Sequence, residues 1–198
     1  VVPYLRGPEI SPTPDDVVDE IQKLVQHGIR EVTLLGQNVN SYGRKLNPDC
    51  SFVSLIQRIN NIEGLERIRF TTSHPKDLSD DLVACFANVP KLCEHIHMAV
   101  QSGSNRILKR MNRGYTAEDF YEKVEKLRRA CPHISITSDI IVGFPGKTDR
   151  DYQATIDLME KIRFDMLFSF KYSARTGTAA QALPDDVPKE EKNRRLNA

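Results

Sequence analysis

The stretch VTLLGQNVNSYG (residues 32–43) runs from an apolar, β-branched segment directly into a loop of amides and glycines. The apolar part is typical of a buried strand, and the polar part is typical of the loop that follows one. Loops at the carboxyl ends of parallel strands are where barrel and open-sheet enzymes hold their active sites. The stretch therefore predicts an α/β fold with its chemistry at a strand end.

The same join between an apolar strand and a polar loop recurs four times. It is found in FTTSH (70–74), AVQSGS (99–104), IIVGFPG (140–146) and FKYS (170–173). Helical patterns separate the five predicted strands, which lie at 30–35, 66–71, 94–100, 134–142 and 165–171. This alternation predicts βα units around a parallel sheet, with the five strand ends sharing one site.

Both ends of the chain indicate a central part of a longer protein. A helix capped at Thr13 comes first, without the preceding strand that every other helix has, and VVPYLRG (1–7) looks like the tail of a βα loop that begins upstream. LPDDVP (183–188) followed by KEEK (189–192) predicts a linker and the start of a charged helix. We expect a barrel domain at 1–182 and a linker at 183–198.

The composition is that of a soluble α/β domain. The 198 residues are 39% hydrophobic and carry 28 basic and 27 acidic side chains, so the net charge of +1 argues against strong non-specific binding of nucleic acid. No apolar run approaches the roughly 18 residues of a membrane span, and no signal peptide is evident, so we expect a cytoplasmic protein. The four cysteines fit neither a disulfide framework nor a paired metal site.

The segment GFPGKT (143–148) resembles a phosphate-binding loop but lacks its spacing. The glycine required five places before Gly146 is Ile141. Thr148 and Asp151 instead have the spacing of a helix-capping pair, and Gly143 allows a ligand to approach the backbone closely at a strand end. The segment thus favours a platform for a flat ligand, with a plain tight turn as the alternative.

Polar side chains at the other strand ends have both a binding and a structural interpretation. Gln37 and Asn38 can donate to and accept from an amino-acid group, or simply bond loop backbone. Asp139 can take a ribose hydroxyl pair or make a structural hydrogen bond. Lys171 can reach a ligand carboxylate or extend to water. In the loop Gln101–Ser104, Ser104 can either contribute to a ligand site or serve only as the cap of the next helix.

Two further groups of side chains are weaker candidates. His95 and His97 share a strand face, but without a third nearby ligand they do not predict a metal site, and they are interpreted with His74 as interior or rim residues. A basic patch near Tyr115 can bind RNA phosphate or be a solvated helix face. Its members are Arg106, Lys109, Arg110 and Arg113.

Four ordered motifs carry a family resemblance that extends over essentially the whole chain. GQNVNSYG (36–43), QSGSNRILKRMNRGYT (101–116), SDIIVGFPG (138–146) and FKYS (170–173) closely resemble the methylthiotransferase family of radical S-adenosylmethionine enzymes. Within that family, GQNVNSYG is similar to the branch that methylthiolates C2 of N6-isopentenyladenosine next to the tRNA anticodon. VVPYLRG resembles the segment that follows the family's C-x3-C-x2-C cluster motif.

The resemblance implies a partial (β/α)6 TIM-like barrel, here without its first strand. It implies a [4Fe-4S] cluster that binds S-adenosylmethionine and generates a 5′-deoxyadenosyl radical, with tRNA as substrate and a reductant protein such as flavodoxin or ferredoxin. The cluster cysteines are expected just upstream of Val1, with a further cluster domain before them and a TRAM domain after the barrel. No metal ligand or catalytic residue is therefore expected among these 198 residues, and we expect them to be inactive alone.

The resemblance also implies positions for the cofactor. Gln37 and Asn38 would approach the methionine part, with Gln101 and Ser102 nearby. Ser138 and Asp139 would face the ribose, and Val142, Gly143 and Phe144 would line the adenine. Lys171 and Tyr172 would close the rim.

Three alternatives stay open at this point. The chain can belong to a branch that modifies threonylcarbamoyladenosine or a ribosomal protein, although those branches usually differ at Gln37, Asn38 and Asn40. It can be an iron-free barrel enzyme acting on a phosphorylated metabolite, or a non-catalytic RNA-binding module. The failed phosphate-loop spacing counts against the second, and the near-zero charge counts against the third.

Overall fold

The structure is a computed structural model that describes residues 10–44, 46, 50–71 and 73–197. It divides into two compact units. The amino-terminal unit contains residues 10–98 and 125–135, and the carboxy-terminal unit contains 99–124 and 136–197. The segment VVPYLRG (1–7), and with it the expectation that the first strand is missing, lies outside the described residues.

The amino-terminal unit alternates helices with parallel strands. Its elements are α1 (Pro14–Gln26), β1 (Glu31–Leu34), α2 (Phe52–Asn60), β2 (Arg67–Phe70), α3 (Asp80–Asn88) and β3 (His95–His97). One 3-10 turn follows β1 at Val39–Ser41, and another follows β2 at Pro75–Asp77. Each turn therefore occupies a loop at the carboxyl end of a strand, where the sequence places polar groups.

Local capping starts the first two helices where the sequence predicts. Thr13 and Asp16 form a capping box at α1, in which each side chain bonds the other residue's backbone N–H, and Pro14 occupies the first turn. Ser51 and Ser54 form the equivalent pair at α2. Both predicted helix starts are confirmed.

The strands of this unit pack on an aromatic core. β1 and β2 are parallel, with Val32 opposite Ile68. The ring of Phe70 on β2 lies 5.0 Å from that of Phe52 and 6.0 Å from that of Phe86. These contacts hold α2 and α3 against the sheet, since all three rings are buried.

The carboxy-terminal unit continues the alternation. It contains α4 (Asn105–Arg110), the first half of α5 (Ala117–Ala130), β4 (Ser135–Val142) apart from its first residue, α6 (Asp149–Ile162), β5 (Met166–Lys171) and α7 (Lys189–Asn197). β4 and β5 are parallel from Thr137 opposite Met166 to Val142 opposite Lys171.

One predicted strand is shorter in the structure. The strand predicted at 94–100 spans His95–His97, and beyond it the Val100 N–H donates to the Ser138 hydroxyl at 3.0 Å. The charged helix start predicted at KEEK (189–192) is confirmed by α7, in which the Lys192 and Arg195 side chains are buried. Among the described helices, none combines the length and the apolar character of a membrane span.

Candidate functional site

In the amino-terminal unit, hydrogen bonds fasten the loop after β1 to the loop after β2. Asn38 Nδ2 donates to Asp77 Oδ2 at 2.6 Å, and Asn38 Oδ1 accepts from the His74 N–H at 3.2 Å. Asn40 accepts from the same N–H at 3.1 Å and donates to the His74 carbonyl at 3.2 Å. Both asparagines therefore join the two loops, which is the structural interpretation that the sequence left open.

Asp77 carries a buried negative charge in this network. Its carboxylate also accepts from the Arg44 guanidinium at 2.8 Å, while its side chain is only 4% exposed. Burial by itself raises the pKa of Asp77, but the hydrogen bonds from Asn38 and Arg44 outweigh burial and hold the pKa below its usual range. Asp77 is therefore ionised at neutral pH, so it is a persistent acceptor for both loop residues.

The predicted cofactor residue Gln37 is exposed, directly beside this fastened segment. The buried Ser73 hydroxyl, just after β2, has no hydrogen-bond partner among the described residues. The edge at which β1 and β2 end thus offers one exposed amide and one unsatisfied hydroxyl.

In the carboxy-terminal unit, Gln101 has two features that are typical of a ligand-binding residue. Its backbone has a φ of 67°, which is unusual for a residue other than glycine. Two backbone hydrogen bonds to β4 hold it: the Gln101 N–H donates to the Asp139 carbonyl at 2.8 Å, and the Gln101 carbonyl accepts from the Ile141 N–H at 3.0 Å. Its side-chain Oε1 is buried and has no hydrogen-bond partner among the described residues. An unsatisfied buried acceptor fits a donor group on a ligand, such as an ammonium, hydroxyl or adenine amine.

The neighbouring serines are structural. Ser102 is fully buried; its hydroxyl accepts from the Ser104 N–H and lies 3.4 Å from Thr155 Oγ1 on α6. The Ser102 hydroxyl is thus engaged within the protein, and its expected place near the cofactor stays a prediction. Ser104 caps α4, as the simpler interpretation has it, and also donates to Asp151 at 2.6 Å.

Ser138 and Asp139 lie on opposite faces of β4, because side chains alternate along a strand. Ser138 is fully buried and its hydroxyl accepts from the Val100 N–H, whereas Asp139 is half-buried and lies opposite Phe168 of β5. The burial of Ser138 does not fit the prediction that it faces a ribose, and for Asp139 that role stays a prediction.

The loop after β4 is covered by α7. Val142, Gly143 and Phe144 are all buried, and a Cβ at Gly143 would lie 2.3 Å from Lys192 Cγ. The Phe144 ring packs edge-on against Tyr172 at 5.1 Å. In this arrangement the missing Gly143 side chain makes room for Lys192, so the structure brings no exposed platform for an adenine to this loop.

The predicted rim residues, Lys171 at the end of β5 and Tyr172 directly after it, contact segments that follow β5 in the sequence. Lys171 Nζ donates to Asn193 Oδ1 at 2.9 Å, and the Tyr172 hydroxyl donates to the Ala180 carbonyl at 2.9 Å. Lys171 is exposed, so it remains accessible from solvent.

The start of α6 confirms the predicted capping pair and adds a buried lysine. Thr148 and Asp151 form a capping box. Lys147 is only 3% exposed, and burial together with the nearby Arg195 lowers its pKa from 10.5 to about 8. The Gly146 N–H donates to Asp186 at 2.6 Å, so a protein carboxylate occupies the donor that a phosphate would use.

The predicted RNA patch divides into two pairs. Arg106 is ion-paired with Asp151 and donates to the Gly146 carbonyl, while Arg113 donates to the Ala99 carbonyl at 3.2 Å. Lys109 and Arg110 are exposed on α4. Arg106 and Arg113 therefore make structural contacts, although Arg106 is also exposed, and Lys109 and Arg110 lie at the surface.

Four residues that make contacts in these regions were not candidates from the sequence: Arg44, Asp77, Lys147 and Lys192. An acid two places after the proline of His74-Pro75 is the only local signal for Asp77, since its partners lie more than 30 residues away in sequence. Over the described residues, no group of three His, Cys, Asp or Glu side chains is arranged to hold a metal ion.

Sequence comparison assigns the class. The family model described as "Radical SAM superfamily" matches residues 2–159, so the chain belongs to the radical SAM superfamily. It is 60% identical over 197 residues to the tRNA-2-methylthio-N(6)-dimethylallyladenosine synthase of Geobacter sulfurreducens, and 57% identical over 196 residues to the protein of the same name from Syntrophus aciditrophicus. These relatives confirm the resemblance to the methylthiotransferase family.

The chain spans less than half of those relatives. The two alignments cover 100% and 99% of this chain but 44% and 42% of the relatives. Proteins this similar in sequence over a shared region have the same fold there, whereas activity belongs to the whole protein.

Solved structures agree on the fold. Coproporphyrinogen III oxidase from Escherichia coli, described as a radical SAM enzyme, matches with a TM-score of 0.66 at 18% identity, over 93% of this chain and 44% of that one. Methylornithine synthase matches with a TM-score of 0.60 at 15% identity, over 90% of this chain and 50% of that one. These likenesses confirm the expected α/β fold of the radical SAM type.

Proposed function

We propose that the chain is the central part of a radical S-adenosylmethionine methylthiotransferase that modifies C2 of N6-isopentenyladenosine, also called N6-dimethylallyladenosine, in tRNA. The observation that carries the proposal is the 60% identity across the chain to a relative named for that product. Several other relatives of the same name are 51–57% identical. This identity favours the isopentenyladenosine branch over the threonylcarbamoyladenosine and ribosomal-protein branches.

The residues of the carboxy-terminal unit fit an adenosine-bearing cofactor. When bound at a [4Fe-4S] cluster and reduced, S-adenosylmethionine supplies a 5′-deoxyadenosyl radical that abstracts hydrogen from the substrate. Gln101 would accept a hydrogen bond from a cofactor donor through its unsatisfied Oε1, and Asp139 would accept from the ribose hydroxyls. Because the Gln101 backbone is bonded to both Asp139 and Ile141 of β4, its side chain is positioned before the ligand arrives.

Gln37 is the residue that we propose for the amino-acid end of S-adenosylmethionine. Gln37 is exposed beside the fastened loop and can both donate to a carboxylate and accept from an ammonium group. Asn38 already uses both of its polar atoms within the protein, which leaves Gln37 as the stronger candidate of the two.

The proposed partners are tRNA and a reductant protein such as flavodoxin or ferredoxin, in the cytoplasm. Lys109 and Arg110 are exposed and would contact tRNA phosphate. Arg106 and Arg113 would support α4 through their contacts with protein groups. The proposed division into a barrel at 1–182 and a following linker is refined by α7, which is bonded to the carboxy-terminal unit.

The test is nucleoside analysis of tRNA after reaction with the full-length protein, reconstituted anaerobically with iron and sulfide. We expect the 2-methylthio derivative of N6-isopentenyladenosine from the wild type and a large loss in Asp139→Asn. Asp157→Asn is the matched control, because Asp157 is an exposed carboxylate on α6 that bonds only Gln153 among the described residues. A modified threonylcarbamoyladenosine instead would assign the protein to another branch, and no modified nucleoside at all would contradict the proposal.

A further inference from the structure

The two loops of the amino-terminal unit meet around one buried carboxylate. Asn38 and Asn40 bond the backbone of His74, and Asn38 also bonds Asp77 in the 3-10 turn that follows. The Ser41 N–H and hydroxyl both donate to the Asn38 carbonyl, at 3.1 and 2.8 Å. Asn38 is therefore held through both its side chain and its backbone.

Asp77 makes the charged contacts between the loop after β2 and the loop after β1. It accepts from Asn38 at 2.6 Å and from Arg44 at 2.8 Å, which lie on either side of the 3-10 turn Val39–Ser41. Hydrogen bonds to an ionised acceptor are stronger than those between neutral groups, and this carboxylate is shielded from water. The Asp77 carboxylate, in the loop after β2, thus holds the residues on both sides of that 3-10 turn.

Gln37 directly precedes the held segment. Its backbone position is set by Asn38 on one side and by the end of β1 on the other, while its own side chain is exposed. A mobile amide loses conformational entropy when it binds a ligand, and a loop fixed in advance avoids part of that loss.

We propose that Asp77 is a positioning residue that holds the loop after β1, through Asn38 and Arg44, so that Gln37 is presented to the amino-acid end of the bound sulfonium cofactor. This inference rests on the proposed function, because that function supplies the cofactor. Asp77 touches no reacting atom and acts only through its two partners. The adenosine end of the cofactor lies outside its influence.

The test compares two probes that differ only at the amino-acid end. S-adenosylhomocysteine carries this end, and 5′-methylthioadenosine lacks it. Binding of each is measured by calorimetry with the anaerobically reconstituted full-length protein. We expect Asp77→Asn to weaken S-adenosylhomocysteine roughly tenfold, as the loss of a charged hydrogen bond would, and to leave 5′-methylthioadenosine unchanged.

A reciprocal exchange separates positioning from folding. In the double variant Asn38→Asp with Asp77→Asn, an amide again donates to a carboxylate, and residue 38 can still accept from the His74 N–H. We expect this variant to regain most of the lost affinity. Arg44→Met keeps the Asn38 bond and serves as a milder variant, with a smaller loss of the same selectivity.

Asp16→Asn is the matched control, because it removes a carboxylate from the capping box of α1 in the same unit. We expect it to lower the melting temperature without changing the affinity for either probe. Equal loss of both probes in Asp77→Asn, or no loss of either, would overturn the positioning role while leaving the proposed function in place. Failure of the wild type to bind either probe would overturn both.

Discussion

Ser138 and Asp139 are consecutive residues of β4, yet the Ser138 side chain lies on a buried face of the strand and the Asp139 side chain lies on the opposite face. The Ser138 hydroxyl accepts from the Val100 N–H at 3.0 Å and is fully buried, while Asp139 remains half-buried opposite Phe168. The alternation of a strand thus separates two polar groups that a linear motif presents together.

The first prediction follows from this separation. Ser138→Ala leaves the Val100 N–H without its hydroxyl acceptor, so we expect the free energy of unfolding to fall by about 1–3 kcal/mol. Asp139→Asn should instead weaken binding of S-adenosylhomocysteine. Denaturant titration and calorimetry measure the two effects. The division would be wrong if Ser138→Ala weakened ligand binding at unchanged stability.

A second prediction concerns Gly143, which has a φ of 66° and lies against Lys192. Gly143→Ala should destabilise the protein by more than the roughly 1–2 kcal/mol that a left-handed backbone alone costs an alanine. Gly114→Ala is the control, since Gly114 has a φ of 69° and a Cβ added there would meet no atom of the described residues within 4 Å, its chain neighbours apart. Adding Lys192→Ala should recover part of the excess, and equal melting temperatures for the two glycine variants would contradict the contact.

The third prediction uses the buried Lys147. Burial and Arg195 lower its pKa from 10.5 to about 8, so the folded protein binds this proton more weakly than the unfolded chain does. The cost of burying the charge is therefore complete below pH 8 and disappears as the pH rises towards 10.5. Lys147→Met should stabilise the protein by about 1–3 kcal/mol at neutral pH, with a gain that shrinks over that range. A gain independent of pH would show that folding does not shift the pKa of Lys147.

The fourth prediction separates the two pairs of the basic patch. Lys109→Ala and Arg110→Ala should each weaken tRNA binding and reduce the salt dependence by about one counterion, because both side chains are exposed. Lys126→Ala, an exposed lysine of α5 paired with Asp80, is the control and should leave both quantities unchanged. Salt titrations of tRNA affinity check this, and an unchanged slope in the two α4 variants would remove the patch from the interface.

Local signals in the sequence were sufficient for the helices. The caps at Thr13, Ser51 and Thr148 bond groups three residues away, so the residues that decide each start are close together in the sequence. The alternation of strands and helices was likewise predictable, because the apolar periodicity is local. The fold class and most element bounds follow from these features.

The candidate site was less predictable because its partners are distant in sequence. Ser102 lies near Thr155, and Arg106 pairs with Asp151, across 53 and 45 residues respectively. A polar loop residue that binds protein cannot be distinguished by type from one that binds a ligand. Gln101 Oε1 has no hydrogen-bond partner among the described residues, whereas both polar atoms of the Asn38 amide are bonded within the protein. Only the folded chain shows this difference.

The most direct test of the central claim is release of 5′-deoxyadenosine from S-adenosylmethionine by the full-length protein after anaerobic reconstitution with iron and sulfide. We expect release that requires dithionite, equals or exceeds the methylthiolated tRNA formed, and is strongly reduced in Asp139→Asn. Iron-loaded wild-type protein that binds tRNA but releases no 5′-deoxyadenosine would contradict the radical mechanism.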